Sequence, residues 1–230
     1  MAGPTTVTTT PKRSRVDAAW AGVAFAVLYV LGTMTAFVSP SDTDKVKDSP
    51  NDLAASWYGF YAKSGNRTTI IIGTYVLIAA ALAFMVFGSA LRDRLAAAGA
   101  PGAGRVAYGS SIAFAAVTLV GAAAVAWIPG AKTFGGVALP TGELNYLASQ
   151  LGFAMILLGG GAAAGLALVA AGQAGARTHL LPGWLGWFGV VVGVIVFFLG
   201  GLFVTMALLV LWVLIASIIL LRRPASASAA

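Results

Sequence analysis

The sequence predicts an all-α membrane protein with six transmembrane helices and an extra amphipathic helix in the first outer loop. Three observations predict it. Of 230 residues, 59% are apolar and only 9% are charged, whereas a soluble globular domain carries about 25% charged residues. Residues 183–221 contain no Asp, Glu, Lys, Arg or His. As one helix that run would be roughly 57 Å long, against a hydrocarbon layer of about 30 Å, an excess that tilting cannot absorb. The pair Gly200-Gly201 sits near its midpoint, so the run reads as a hairpin of two membrane helices, about 183–199 and 203–221.

Taken in order, residues 1–16 are polar and Thr-rich, with Lys12, Arg13 and Arg15 before the first apolar run. They read as a disordered basic tail. The following apolar stretch, about 18–38, is longer than a signal-peptide core and has no small-x-small cleavage site after it. It is the first span of a membrane domain covering 17–223. The segment 39–67 is the longest polar stretch between spans. Its Asp42, Asp44, Asp48 and Asp52 alternate with Lys45, Lys47, Lys63 and Arg67. Calcium loops need closely spaced oxygen ligands, usually with a Gly and a bidentate Glu, so this run reads as a solvated mixed-charge loop. Asn66-Arg67-Thr68 matches a glycosylation sequon but lies against the second span.

A helix is expected within that loop, about 50–64. Ser49 stands at a capping position, Pro50 at the first helical position and Asp52 in the first turn. Leu53, Trp57, Phe60 and Tyr61 then share one face, and Gly65 can end the helix. Such a helix lies along the membrane surface or covers the ends of the bundle. A cover packed on the protein's own spans is the simpler reading; a lid over a ligand site is the alternative.

The remaining spans follow at about 68–90, 106–128 and 144–171. Arg92, Asp93 and Arg94 close the second, Pro129-Gly130 the third, and Arg177 and His179 follow the fourth. Trp127, Trp184 and Trp187 fall near expected interfaces. The last span ends at Arg222-Arg223, before a tail at 224–230. Six spans put both termini on one side. That side then holds nine of the 14 Lys and Arg residues and the other five, four of them in one loop balanced by Asp. The positive-inside rule therefore predicts a multi-pass protein of the cytoplasmic membrane with both termini in the cytoplasm.

The charge pattern also bounds the chemistry. The net charge of +7 comes from residues flanking spans, so nucleic acid is not an expected partner. With no Cys, one His (His179) and one Glu (Glu143), neither a metal site nor an acid–base set is expected, and no cofactor is implied. The spans carry no charged residue, the usual mark of ion pathways and proton relays. Their polar residues are mostly hydroxyls, which bond carbonyls of their own helix or a neighbour. The candidate ligand-binding residues are Ser149 and Gln150 near the outer end of the fourth span, Glu143 at its edge, and Trp57 on the outer helix. Gly161 and Gly165, and again Gly189 and Gly193, repeat the G-x-x-x-G spacing that lets helix backbones approach closely. These four are expected packing residues, within the bundle or between subunits.

Four stretches carry a resemblance: AAWAGVAFAVLYVLGT in the first span, LAASWYGFYAKSGNRTTIIIGTYV, FMVFGSALRDRL, and LLPGWLGWFGVVVG with the closing VLWVLIASIILLRR. In these the chain resembles a family of uncharacterised actinobacterial integral membrane proteins, over most of 18–223. The resemblance implies the six-span architecture and adds no active-site residue. The resulting expectation is a structural, accessory or interaction subunit, with membrane lipids, a partner subunit or a second copy as partners. The rival is a lipid or small-molecule binding or transport protein with its site near the outer ends of the spans. A membrane enzyme, needing a partner to supply the missing groups, comes third.

Overall fold

The computed structural model of the chain describes residues 17–40 and 49–222. The basic tail, the Asp42–Asp48 part of the mixed-charge loop, and Arg223 with the closing tail lie outside the described residues. What is described is helical, with no strand: α1 (Asp17–Ala36), α2 (Pro50–Ala62), α3 (Ser64–Ala97), α4 (Pro101–Gly135), α5 (Gly142–Ala154), a π-helical segment (Met155–Gly160), α6 (Gly161–Arg177), α7 (Gly183–Leu199) and α8 (Phe203–Arg222). Five rods are long and apolar enough to cross a membrane: α1, α3, α4, the continuous α5–π–α6 rod, and α8. The sixth apolar helix, α7, has 17 residues, or about 26 Å of rise.

The core is a six-helix bundle. α3 packs on α1 and α4, α6 on α4 and α7, and α8 on α1 and α7. At its centre Phe84 meets Phe25 and Phe114 at ring separations of 4.8 Å each, and Tyr29, Leu77, Leu157 and Leu168 are buried around them. Most polar groups there are returned to backbone carbonyls. Thr74 donates to Ile70, Ser111 to Tyr108, Ser217 to Val213, and the Trp212 indole to Leu185 across to α7. Gly22 of α1 abuts Ser217 of α8, and Arg94 of α3 donates to the Leu220 carbonyl at 2.7 Å. The first and last helices thus have their chain-terminal ends at the same end of the bundle, and α2 sits at the other.

The rods outrun the hydropathy-based spans. α3 continues to Ala97 rather than ending at Arg92, because charge ends a membrane span but not a helix. Arg92 instead bonds Asp93 and lies 4.7 Å from the Tyr108 ring. α4 runs through Pro129, which is buried inside it, to Gly136. There φ is +64° and the backbone N–H returns to the Ala131 carbonyl, a left-handed C-cap that glycine adopts at no steric cost. The π segment occupies Met155–Gly160, a feature that single-residue spacing does not reveal. The turn at Gly200-Gly201 separates α7 from α8 as expected.

α2 begins at Pro50 behind Ser49, whose side chain makes no capping bond. It ends two residues earlier than Gly65 implied, at Lys63, whose backbone is extended (φ −76°, ψ 122°). The start of α3 supplies what the end of α2 lacks. A helix's last four carbonyls have no intrahelical donor. Here Asn66 Nδ2 donates to the Phe60 carbonyl at 3.0 Å, and Arg67 donates to the carbonyls of Tyr61 (2.6 Å) and Ala62 (2.8 Å). Arg67 also reaches Thr133 Oγ1 on α4 at 3.3 Å. A guanidinium at a helix C-terminus also complements the helix dipole. The sequon asparagine is therefore part of the joint that fixes α2.

Candidate functional site

α2 and α5 lie side by side and run in the same direction. Gly142 abuts the Ala54 carbonyl, the Trp57 and Tyr146 rings lie 5.7 Å apart, and the Tyr61 hydroxyl lies near Ser149. Each step advances both helices by about one turn. Only glycine at 142 permits the first contact, since a Cβ there would overlap the Ala54 backbone. Between the helices is a second, smaller core of Trp57, Tyr61, Ile70 and Val125, with Phe37, Leu53, Phe60, Leu139 and Tyr146 packed on it.

This cap handles its polar groups differently. Trp57 is 2% exposed and Asn145 is 0% exposed, yet the Trp57 Nε1, and both Nδ2 and Oδ1 of Asn145, have no hydrogen-bond partner among the described residues. Leaving a buried polar group unpaired costs about 1–3 kcal/mol. Tyr61 and Ser149 lie near each other at the far end. Burial pushes the Tyr61 hydroxyl pKa up to about 12, against the opposing effect of the neighbouring Ser149 hydroxyl. A further orphan, Thr118 Oγ1 on α4, lies elsewhere, beside the π segment near Gly160.

Of the four residues singled out for binding, the fold brings two together. Trp57 is buried in the cap and Ser149 is half-buried beside it, whereas Glu143 and Gln150 are exposed. Asn145 was missed. The signal was present: Asn145 and Ser149, four residues apart, share one face of α5, with Gln150 turned about 100° away from Ser149.

The four glycines all lie at close contacts. A Cβ on Gly165 would sit 2.5 Å from the Gly193 carbonyl oxygen, and one on Gly193 would sit 2.6 Å from that of Gly165. Gly161 faces Gly200, and Gly189 faces the Trp212 indole. With Gly172 against Gly186, these contacts run α6 and α7 antiparallel at backbone contact distance. Among the described residues no three His, Asp or Glu side chains gather as metal ligands.

A second feature lies at the same end. A groove of about 380 Å³ runs between α1 and α8, lined by Tyr29, Val30, Thr33, Met34, Phe37, Phe203, Met206, Ala207 and Val210. Its polar groups are engaged: the Tyr29 hydroxyl donates to Met206 Sδ at 3.3 Å, and Thr33 to the Tyr29 carbonyl at 2.6 Å. Phe153 of α5 joins its two walls, 5.0 Å from Phe37 and 5.5 Å from Phe203. Phe37 thus borders both the groove and the cap. No protein-family model, curated protein or solved structure matches the chain.

Proposed function

We propose that this chain is a six-span protein of the cytoplasmic membrane, both termini cytoplasmic, that binds a membrane amphiphile at the α2 end of the bundle. The groove between α1 and α8 carries this reading. Its volume of about 380 Å³ lies within the roughly 300–1,000 Å³ of small-molecule sites. It runs between two helices long and apolar enough to cross a membrane, and its wall is apolar apart from hydroxyls already bonded. An acyl chain is the occupant such a surface suits.

The topology rests on two supports. α7 is short, but it follows α6 in backbone contact along its length, and a short span is accommodated by local thinning of the bilayer. Six spans also give the nine-to-five distribution of Lys and Arg that the positive-inside rule favours. Membership of the uncharacterised actinobacterial family belongs to the same proposal, supported by the four stretches named above.

Mass spectrometry of the full chain, released from native membranes in mild detergent, tests the function. A retained lipid, lost from Ala207→Trp, which fills the groove, is the expected result. A wild-type chain that retains none and is stabilised by none removes the reading. A reporter fused after Ala230 tests the topology, and activity on the extracytoplasmic side would sink it.

The accessory-subunit reading has its own observation. Phe197, Phe198, Leu199, Leu202, Phe203 and Val204 are all exposed around the α7–α8 turn, an apolar surface suited to another membrane helix. A stoichiometric protein partner in the same spectrum would favour it. Turnover by the purified chain would overturn both readings.

A further inference from the structure

We propose that the unpartnered Trp57 Nε1 and Asn145 carboxamide beneath α2 bind a neutral, oxygen-bearing group, a hydroxyl or an ester carbonyl. The inference rests on the amphiphile reading and extends it from the apolar groove to the polar end of the ligand.

The donor and acceptor inventory selects the chemistry. An indole offers one N–H, and a carboxamide offers two N–H groups and one carbonyl oxygen. All of these atoms are buried and have no partner among the described residues. Donors exceed side-chain acceptors three to one, so the matching group is rich in acceptor oxygen. It is neutral, because Arg67, the cation at the joint of α2 and α3, is committed to the Tyr61 and Ala62 carbonyls and to Thr133. A buried anion would lack the pairing it requires.

Depth gives the same answer. α1 ends at Ala36, and the next residue, Phe37, packs on the Trp57 cluster. The cap therefore begins where a span-length helix stops. Hydrocarbon gives way there to headgroups, and indoles characteristically sit at that level. Because Phe37 also lines the groove, an acyl chain there has its ester end at the level of Trp57 and Asn145. α2 covers the site as a fixed wall, joined to α3 through Asn66 and Arg67.

The same chemistry comes from a lipid's glycerol ester or from a free polyol, and one experiment separates them. The full chain is delipidated in detergent, and its thermal stability is measured against a diacyl phospholipid, the ether-linked analogue lacking both carbonyls, and glycerol. The expected result is saturable stabilisation by the ester lipid, roughly tenfold weaker apparent affinity for the ether lipid, and no effect of glycerol below solvent-like concentrations. Asn145→Leu should fold and bind both lipids with equal affinity. Trp57→Phe, which keeps the ring and deletes the N–H, should narrow the ester preference. Saturable glycerol binding that Asn145→Leu abolishes would keep the site and assign it to a free polyol. Equal affinity for ester and ether lipids in the wild type, with no glycerol binding, would overturn the inference. That result would leave the groove reading standing, which fails only if neither lipid binds.

Discussion

The two cores of this protein solve the same problem in opposite ways. The bundle core is built from rings and small residues, with Phe84 between Phe25 and Phe114. Most of its polar atoms are returned to carbonyls, those of Thr74 and Ser217 within their own helix. The cap beneath α2 is also built from rings, Trp57 among Phe60, Tyr61 and Tyr146, yet it buries an indole N–H and a whole carboxamide with no partner among the described residues. Hydrophobic packing explains both clusters. Among the described residues the bundle leaves one buried polar atom unpaired, Thr118 Oγ1, whereas the cap leaves three, whose burial costs stability without an evident structural return. That difference marks where a ligand belongs.

The sharpest way to break the comparison is to damage the bundle core alone. Phe114→Ala should cost about 3–5 kcal/mol, because the ring is fully buried and contacts Phe25, Tyr29 and Phe84. Chemical denaturation in detergent reads this directly. A loss below about 1 kcal/mol would mean that the aromatic centre is not the stabilising element. Gly165→Val should follow, at about 1–3 kcal/mol. Its new Cβ meets backbone, the Gly193 carbonyl and the Phe197 amide, which cannot move aside as a side chain can.

The cap is probed by pH. The Tyr61 hydroxyl has its pKa raised from 10.0 to about 12 in the folded state. The folded chain thus holds a proton that the unfolded chain releases between those values. The contribution is complete below pH 10 and lost as pH rises through about 12, an effect of order 2 kcal/mol. The melting temperature of the wild type should fall over that window more steeply than that of Tyr61→Phe. Parallel curves would show that Tyr61 ionises freely and that the cap is open to water.

How much of this could be read from residues alone divides along the same line. The aromatic face Leu53–Trp57–Phe60–Tyr61 and the hairpin break at Gly200-Gly201 were legible because both rest on local periodicity. The close-contact role of Gly165 and Gly193 follows from spacing, but their pairing with each other is a property of two helices. The rod lengths were underestimated because hydropathy records where lipid ends, and Arg92 or Pro129 can lie inside a helix that continues past it. Asn145 escaped because its spacing from Ser149 marks a shared face of one helix, whereas the burial of that face is a property of two.

Arg67 ties the two regions together, and its loss should be felt only in the cap. Arg67→Ala removes three donated bonds, to Tyr61, Ala62 and Thr133. The expected cost is about 1–2 kcal/mol, with faster amide exchange in α2 and unchanged exchange in α6 and α7. Uniform acceleration in all helices would mean that α2 is integral to the bundle rather than fastened to it.

The smallest expected effect discriminates most finely among the cap residues. Glu143 and Gln150 flank Asn145 and Ser149 on α5, yet both are exposed. Glu143→Gln and Gln150→Ala should each change stability by less than about 0.5 kcal/mol and leave the ester preference intact. Asn145→Leu, on the same helix and between them, should abolish that preference. If Gln150→Ala also erased it, the polar face that matters would be the one turned outward. The ligand would then lie on the surface of α5 instead of beneath α2, and the contrast between the two cores would lose its functional meaning.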